Sequence, residues 1–350
     1  MRVGILTGGG DCPGLNAVIR AIVRKGETMH GDELIGFHDA WDGVMERRFM
    51  TLDVASLRGM LPKGGTLLGT RRGSPYDHPD GPERVQATFR EMGLDALIVI
   101  GGNGSLTVTS KLYDDLRLPL VGVPKTIDND VVGTDVTFGF HTAVQIATDA
   151  IDRLHTTAES HDRVMVVEVM GRHTGWIATH AGIAGGATAI LIPEQPFDIE
   201  EVCDLLRKRH ERGRYASIVV VAEGAVAAGK GAMYLDDRAS THTIARRLGG
   251  VGTKVAEDIA EACGADTRAT VLGHVQRGGS PSPFDRVLGT RFGCAAAHLV
   301  AKGAHGRMVA LRGADIIDCA IADAIREPKL VSPNGELVTA ARSLGVSFGD

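Results

Sequence analysis

Two carboxylates and a lysine lie within one short segment of the chain, PKTIDND, at residues 124–130. The carboxylates are Asp128 and Asp130, the lysine is Lys125, and an apolar run directly precedes the segment. One carboxylate could take a proton from an attacking hydroxyl group while the other helps to hold Mg²⁺. A turn whose acids cap the next helix fits the same residue types, and the residues alone leave both interpretations open.

Two glycine-rich segments each follow an apolar run and precede a helical pattern. They are GGGDCPG at residues 8–14 and GGNGS at residues 101–105. Backbone N–H groups of such loops, together with the N-terminus of the next helix, can hold a phosphate. The first segment matches neither GxGxxG nor a Walker A motif, so a purely structural turn explains it equally well. In the second, the neutral Asn103 stands where an acid would hold a metal more strongly.

Basic residues stand beside the ends of several predicted strands. They are Arg163, Arg172, Arg268, Arg277 and His274. Arg172 follows a strand and a glycine, whereas Arg163 and Arg268 each precede an apolar run that predicts a strand. Arginine can bind a tetrahedral anion through several donors, so the set predicts an anionic substrate. Each residue taken singly also fits a solvated strand end.

Short apolar runs rich in β-branched residues alternate with helical patterns and supply the elements that position these residues. The predicted strands are Val3–Leu6, Ala96–Ile100, Leu120–Val123, Val164–Val169, Ala187–Ile192 and Ser217–Ala222. This alternation predicts an α/β fold with mostly parallel sheets covered on both faces. Ligands of such sheets bind at the carboxyl ends of the strands. The sequence of residues 225–250 is irregular and predicts a surface loop.

Composition narrows the function classes. The 350 residues suffice for two domains or one bilobed unit, and the net charge of −5 gives no reason to expect nucleic acid as a partner. Five scattered cysteines form no CxxC pair, so we expect reduced thiols rather than a zinc site or a disulfide framework. The N-terminus resembles no signal peptide, and no apolar run reaches the roughly 18 residues that span a membrane. We therefore expect a cytoplasmic protein without a membrane partner.

Several long motifs, in order, resemble the bacterial 6-phosphofructokinase family. The resemblance runs from GILTGGGDCPGLNAVIR to TRATVLGHVQRGGSPSPFDRVLGTRFG, roughly residues 3 to 293. PKTIDND and AESHDRVMVVEVMGRHTGW resemble its actinobacterial branch, which includes both ATP and pyrophosphate users. The resemblance implies two Rossmann-like three-layer lobes, with residues 1–139 and 276–326 for the phosphoryl donor and residues 140–275 and 327–350 for the sugar phosphate.

The resemblance also implies phosphoryl transfer to the 1-hydroxyl of fructose 6-phosphate. Asp128 would accept the hydroxyl proton, and Arg172 would stabilise charge on the phosphoryl group. The residues implied for the sugar phosphate are Thr126, Arg163, Met170, Gly171, Glu223, Arg268, His274 and Arg277. Those implied for the donor are Gly10, Arg72, Gly73, Gly102, Asn103, Gly104, Ser105 and Lys125. Mg²⁺ would be held at Asn103 and Asp130.

Oligomeric state and regulation follow from the same resemblance. In the family, the arginines that match Arg163 and Arg268 come from a neighbouring subunit, which implies a homo-oligomer, usually a tetramer, with shared active sites. Arg20 and Arg24 resemble effector-site residues of allosteric members. His155 stands where those members often have arginine, which argues against nucleotide control of the usual kind.

Two positions that separate the donors in the family disagree in this chain. Gly104 is typical of ATP users, because an aspartate there fills and repels the space of the ATP α-phosphate. Lys125 is typical of pyrophosphate users. A flexible lysine can swing away or pair with a phosphate, so we give Gly104 more weight and expect ATP. The alternatives are a pyrophosphate-dependent enzyme and a low-activity regulatory paralogue that acts on another sugar phosphate.

Asn103 departs from the family pattern, which normally has Asp or Glu at this position. An amide oxygen still ligates Mg²⁺ but brings no charge, and one lost charge-assisted contact is worth roughly 1.5–3 kcal/mol, or about 10- to 100-fold. We therefore expect an active enzyme with weak Mg²⁺ affinity or reduced turnover. A nucleotide-binding dehydrogenase fits less well, because the chain lacks GxGxxG with an acid about 20 residues on.

Overall fold

The structure is a computed structural model that describes residues 1–231 and 249–350. Most of the predicted loop at 225–250 therefore lies outside the described residues. The described chain divides into two compact units. The first comprises Met1–Thr142 and Arg277–Pro328, and the second comprises Ala143–Gln276 and Lys329–Asp350.

The strands and helices follow one another along both units. The strands are β1 (Arg2–Thr7), β2 (Glu33–Phe37), β3 (Phe49–Leu52), β4 (Ala96–Gly101), β5 (Leu120–Pro124), β6 (Val164–Val169), β7 (Ala189–Leu191), β8 (Ser217–Ala222), β9 (Thr267–Val271), β10 (Arg307–Arg312) and β11 (Asp315–Ala320). The α-helices are α1 (Leu15–Lys25), α2 (Trp41–Glu46), α3 (Gly81–Met92), α4 (Asn103–Leu116), α5 (Phe140–His161), α6 (Trp176–Ala184), α7 (Ile199–His210), α8 (Val251–Cys263), α9 (Pro283–Ala301), α10 (Ile321–Ala324) and α11 (Glu336–Ser343). A π-helical turn, Gly26–His30, extends α1, and two 3₁₀ turns span Pro75–Asp77 and Gly273–Arg277.

A seven-stranded sheet, ordered β11-β10-β5-β4-β1-β2-β3, forms the centre of the first unit. Strands β10, β5, β4, β1 and β2 run parallel, and β3 and β11 close the two edges in antiparallel pairing. All six residues of β4 are buried, as expected of a parallel strand covered on both faces. Leu97 and Val99 of this strand pack in one core with Phe89 of α3 and Leu112 of α4.

The direction in which the chain adds strands to this sheet reverses between β1 and β4. The chain passes from β1 to β2 on one side, and the next parallel strands, β4 and β5, lie on the other side of β1. Doubly wound sheets bind ligands in the crevice outside such a switch point. The two segments that border it, residues 8–14 after β1 and residues 102–105 after β4, are the glycine-rich segments singled out by the sequence.

The second unit is built on a four-stranded parallel sheet in the order β7-β8-β6-β9. Val166 and Val219 of the central strands pack in a buried core with Val202 of α7 and Ile259 of α8. Strand β9 pairs with β6 and forms an edge of the sheet. Its residues are largely exposed.

The predicted fold class is confirmed, with parallel sheets and helices in alternation. Strand bounds agree best where every residue is buried, as in Val164–Val169 and Ser217–Ala222. One local expectation was wrong: Arg268 does not precede a strand but is the second residue of β9. An edge strand with few buried residues carries little of the apolar signal on which the expectation was based. Among the described helices, none is long and apolar enough to cross a membrane.

Candidate active site

The glycine loop after β1 packs directly against the first turn of α4. A Cβ atom on Gly8 would lie 2.5 Å from Ser105 Oγ, and one on Gly101 would lie 2.3 Å from Ser105 Cβ. The Gly8 N–H donates to the main-chain oxygen of Ile100 at 2.9 Å. Glycine is needed at both positions because any side chain would push the two loops apart.

The first turn of α4 presents unpaired backbone donors. Gly102 is the N-cap residue in extended conformation, and no side chain caps this helix end. The Leu106 N–H donates to Gly102 O at 3.0 Å, so the N–H groups of residues 103–105 point out of the helix. Gly104 is exposed in this turn, and a Cβ added there would meet no described atom within 4 Å. The arrangement suits a phosphate and leaves open space beside it.

Lys125 follows β5 and lies almost fully buried, with 3% of its surface exposed. Its ammonium group donates to the main-chain oxygen of Gly10, and a Cβ on Gly9 would lie 3.5 Å from Nζ. Burial is the main reason that the pKa of Lys125 is lowered, while the acids Asp11 and Asp128 oppose the shift. The lysine thus braces the glycine loop at residues 8–14 from within the protein.

Arg277 packs on the same loop. Its Nη1 donates to the main-chain oxygen of Asp11 at 3.0 Å, and a Cβ on Gly10 would lie 2.4 Å from that nitrogen. Arg277 belongs to the first unit, whereas His274, which was predicted with it for the sugar phosphate, belongs to the second.

The remaining predicted donor residues, Arg72 and Gly73, lie in an exposed segment of the first unit. Gly73 has a φ of 141°, a conformation that favours glycine. Arg72 forms no ion pair with any described residue, whereas the neighbouring Arg71 pairs with Asp42 at 3.4 Å. The Arg72 guanidinium is therefore available to an anion.

The turn that carries Asp128 is fixed by its own side chains. Thr126 Oγ1 accepts from the Asp128 N–H at 3.0 Å, and Thr137 Oγ1 donates to Thr126 O at 2.7 Å. The buried Asn129 adopts a left-handed φ of 51° and accepts the Thr137 N–H at 3.0 Å through Oδ1. Sequence reasoning missed Asn129, although asparagine adopts this conformation more often than most residues other than glycine. The turn holds Asp128 on a rigid support.

A pair of oxygen atoms in the first unit fits Mg²⁺. Asn103 Nδ2 donates to the main-chain oxygen of Asp130 at 3.2 Å. Asn103 Oδ1 and Asp130 Oδ1 are both buried and accept no hydrogen bond from any described residue. Buried oxygens normally have partners, and hard oxygen ligands suit Mg²⁺. The described residues contain no cluster of three or more His, Cys, Asp or Glu side chains placed to hold a metal. This site would therefore rely on water and donor phosphate for its other ligands.

In the second unit, four predicted sugar-site residues follow the carboxyl ends of neighbouring strands. They are Met170, Gly171, Glu223 and His274. The Glu223 N–H donates to Val169 O at 2.8 Å, and the Met170 N–H donates to Gln276 Oε1 at 3.4 Å. Gln276 is fully buried and also donates to Gly273 O at 3.0 Å. This glutamine, which sequence reasoning missed, ties the turn that carries His274 to the end of β6.

Arg172 lies on a tight turn between β6 and α6. Gly171 has a φ of 137°, and a Cβ on Gly224 would lie 2.0 Å from Arg172 O. The Glu194 carboxylate accepts the Gly175 N–H at 3.0 Å and so fixes the end of the turn. Burial raises the pKa of Glu194, and its backbone hydrogen bonds oppose this shift.

Arg163 and Arg268 share one acidic partner at the amino ends of β6 and β9. Asp266 accepts from Arg163 Nε at 2.6 Å and pairs with Arg268 Nη1 at 2.5 Å. The hydrogen bond from Arg163 is the main reason that the pKa of Asp266 is lowered. Arg163 lies directly before β6 and Met170 directly after it. The two groups of predicted sugar residues are thus at opposite ends of one sheet.

Of the residues considered for regulation, Arg20 is half-buried and Arg24 is exposed on α1. His155 Nε2 lies 2.6 Å from the main-chain oxygen of Gly185. The imidazole is therefore engaged with the backbone of its own unit.

Glycine-rich loops at a switch point, near a turn with carboxylates, are features of phosphoryl-transfer proteins. Residues 2–300 match the Phosphofructokinase family model, and the chain belongs to this family of transferases. The family resemblance drawn from the sequence is confirmed.

Similar proteins carry names with two different phosphoryl donors. Over 349 residues and the whole of both chains, this chain is 54% identical to a pyrophosphate–fructose 6-phosphate 1-phosphotransferase of Streptomyces coelicolor. Over 358 residues it is 52% identical to an ATP-dependent 6-phosphofructokinase of Chloroflexus aggregans, with 100% of this chain and 98% of the relative covered. A solved structure of phosphofructokinase from Saccharomyces cerevisiae is 32% identical with a TM-score of 0.79, and the match covers 93% of this chain and 45% of that one.

Proposed function

We propose that this chain is an ATP-dependent 6-phosphofructokinase of glycolysis that works in the cytoplasm. It transfers the γ-phosphoryl group of ATP to the 1-hydroxyl of fructose 6-phosphate and gives fructose 1,6-bisphosphate. Membership of the phosphofructokinase family supports the reaction class. The names of the relatives leave the donor open, so the choice of ATP depends on the site itself.

The open space at Gly104 is the observation that carries the choice of ATP. Gly104 lies in the first turn of α4, where the backbone donors suit the donor phosphates, and no described atom lies within 4 Å of its added Cβ. ATP has an α-phosphate and a nucleoside beyond the two phosphates that pyrophosphate shares with it. A glycine with free space beside it accommodates this extra group.

Lys125 favours pyrophosphate as a second candidate donor. Its ammonium is buried and bound to Gly10 O in the phosphate loop. From this position a small rotation would bring a positive charge towards a bound phosphate, which would offset the contacts that pyrophosphate lacks. The same internal hydrogen bond also lets ATP bind without displacing the lysine. Lys125 is therefore weaker evidence about the phosphoryl donor than Gly104.

The residues of the first unit supply the donor and base functions. The first turn of α4 and the loop at residues 8–14 bind the donor phosphates through backbone N–H groups. Asp128, on its braced turn, takes the proton of the 1-hydroxyl. Asn103 Oδ1 and Asp130 Oδ1 would hold Mg²⁺, which supplies charge neutralisation on the donor phosphates.

The residues of the second unit bind the sugar phosphate and stabilise the transferred group. Met170, Gly171, Glu223 and His274 bind the sugar at the carboxyl ends of the strands. Arg172 neutralises charge that develops on the phosphoryl oxygens. Positioning and charge neutralisation account for most of the acceleration in reactions of this type.

Arg163 and Arg268 bind the 6-phosphate of a sugar held mainly by a second copy of the chain. Arg163 and Met170 flank the strand β6 and are seven residues apart, which is about 23 Å at roughly 3.3 Å per residue. This distance is longer than a hexose phosphate. One chain therefore cannot place both groups on the same sugar, and we propose a homo-oligomer, a tetramer or dimer, with shared sites.

A direct test measures fructose 1,6-bisphosphate formation from fructose 6-phosphate with ATP or pyrophosphate over a Mg²⁺ series. The proposal predicts turnover with ATP and a kcat/KM for ATP at least tenfold above that for pyrophosphate. Efficient turnover with pyrophosphate alone would replace the proposal with the pyrophosphate-dependent alternative. Failure with both donors, together with turnover of another sugar phosphate, would favour the specialised paralogue that Asn103 suggested.

A further inference from the structure

The side chain of Asp266 joins the two arginines that bind the 6-phosphate in the proposed function. Asp266 Oδ2 accepts from Arg163 Nε at 2.6 Å, and Asp266 Oδ1 pairs with Arg268 Nη1 at 2.5 Å. The two guanidinium groups thus meet on opposite oxygens of one carboxylate. Arg268 Nη1 also donates to the main-chain oxygen of Thr267 at 2.9 Å, which fixes that side chain further.

The backbone brings these residues together by register. Val164 pairs with Thr267 in the parallel ladder between β6 and β9, and the Val164 N–H donates to the main-chain oxygen of Asp266 at 3.0 Å. Asp266 and Arg163 therefore lie side by side, one residue before their strands. Both the backbone and the side chain of Asp266 contribute to one compact cluster, which we call the Asp266 cluster (Arg163, Asp266 and Arg268).

The ion pairs of the cluster are too exposed to serve mainly in folding. The side chains of Arg163, Asp266 and Arg268 are 27%, 44% and 56% exposed. Exposed pairs contribute little to stability, because water screens the two charges and the long side chains lose freedom. Two guanidinium groups held together also repel each other, so an arrangement of this kind needs an anion between them.

Most of the donors in the cluster still face outward. Each guanidinium carries five N–H donors, and Asp266 engages one nitrogen of each arginine. Among the described residues, none accepts a hydrogen bond from the terminal nitrogens of Arg163 or from Nε and Nη2 of Arg268. These donors can bind a phosphate monoester without breaking either contact with Asp266.

We propose that Asp266 is a positioning residue that holds Arg163 and Arg268 as a preformed clamp for the phosphate monoester of the substrate. This inference rests on the proposed function. Ordering two long side chains in advance removes an entropic cost that substrate binding would otherwise bear. The carboxylate also offsets the repulsion between the two guanidinium groups before the substrate binds.

The test compares the steady-state kinetics of Asp266→Asn, Asp266→Glu and wild type. For Asp266→Asn we expect the KM for fructose 6-phosphate to rise about 5- to 30-fold, because two arginines must now be ordered on binding. The KM for the donor and kcat should change less than twofold. Asp266→Glu keeps the carboxylate, so the logarithm of its KM for fructose 6-phosphate should rise by no more than half as much as in Asp266→Asn.

Asp258→Asn is the matched control. It removes the same charge from a partly exposed ion pair of the second unit, since Asp258 pairs with Lys254 at 2.5 Å. Its KM for fructose 6-phosphate should stay at the wild-type value. Light scattering and thermal unfolding should show the same mass and melting temperature for all four proteins.

The outcomes separate this inference from the proposed function. Suppose that Arg268→Gln raises the KM for fructose 6-phosphate and Asp266→Asn leaves it unchanged or lowers it. This result would overturn the positioning role of Asp266 alone. A rise in kcat with a lower KM would show instead that the carboxylate competes with the phosphate, which also contradicts the inference. If Arg268→Gln leaves the KM unchanged, the proposed role of the arginines fails first.

Discussion

Asn103 donates its side-chain hydrogen bond to the main-chain oxygen of Asp130 at 3.2 Å, which ties the two residues together. Asn103 Oδ1 and Asp130 Oδ1 are buried and receive no hydrogen bond from the described part of the chain. In the proposed function these two residues hold Mg²⁺, and only Asp130 brings a negative charge.

Replacing Asn103 with Asp should strengthen Mg²⁺ binding. The added charge should lower the Mg²⁺ concentration for half-maximal rate by about 10- to 100-fold. In the absence of Mg²⁺ the variant should melt below wild type, because the new carboxylate faces the Asp130 oxygen without the amide donor. Rate measurements over a Mg²⁺ series and thermal unfolding with and without Mg²⁺ check both effects. Asn334→Asp, at an exposed position, is the control and should change neither quantity. If Asn103→Asp behaves like this control, Asn103 does not belong to the metal site.

Replacing Gly104 with Asp should reverse the donor preference. The carboxylate would enter the open space in the first turn of α4 and repel the α-phosphate of ATP, so the KM for ATP should rise at least about 100-fold. The fold should tolerate the change, since no described atom lies within 4 Å of the new Cβ and an acid suits a helix N-terminus.

Gly104→Ala separates charge from bulk in that experiment. Alanine fits the same open space and favours the helix by roughly 0.5–1 kcal/mol, so this variant should keep its KM for ATP and melt slightly higher than wild type. If both variants keep the ATP preference, the space beside Gly104 does not hold the α-phosphate.

The sequence predicted best what depends on local patterns. β6 and β8 were found with their full bounds because all of their residues are buried and most are apolar. The two glycine-rich segments were placed correctly at the carboxyl ends of their strands, since such a turn has its own local chemistry. The strand expected after Arg268 begins one residue before it, at Thr267, because an edge strand with mostly exposed residues offers no continuous apolar run to set this bound.

The parts of the candidate site that escaped prediction depend on contacts between distant residues. Asp266 lies 103 positions from Arg163, and Gln276 lies 106 positions from Met170. No local pattern reveals such partners, because each one acts only through the register of parallel strands. The burial of Lys125 against Gly10, 115 positions away, was hidden from the sequence for the same reason.

Glu168 should make the stability of the protein depend on pH. It is a buried residue of β6 that accepts the Gly252 N–H at 2.8 Å, and burial raises the pKa of its carboxyl group. The folded state then binds the proton more tightly than the unfolded state. The free energy of unfolding should therefore fall as pH rises from about 4.3 through the raised pKa, and should level off above it.

Comparison with Glu168→Gln isolates this contribution. The glutamine keeps an acceptor oxygen but does not titrate, so wild type should lose stability relative to the variant as pH rises, by at most about 1.4 kcal/mol per unit. Urea unfolding between pH 4.5 and 8 measures the difference. Glu201→Gln, at an exposed position of α7, should give a difference that does not vary with pH in this way. A constant difference for Glu168→Gln would show that its carboxyl group has an ordinary pKa.

Mixing two inactive variants should restore activity if the sites are shared between chains. Asp128→Asn should lose about 10²- to 10⁴-fold in kcat through the missing base, and Arg268→Gln should lose sugar-phosphate affinity. When the two are co-expressed with different tags, some sites receive the intact Asp128 of one chain and the intact Arg268 of another. Random assortment makes about a quarter of the sites complete, so the purified hybrid should approach that fraction of the wild-type rate at low fructose 6-phosphate. A hybrid no more active than the sum of its parents would show that each chain uses its own Arg268, against the distance that β6 sets between Arg163 and Met170.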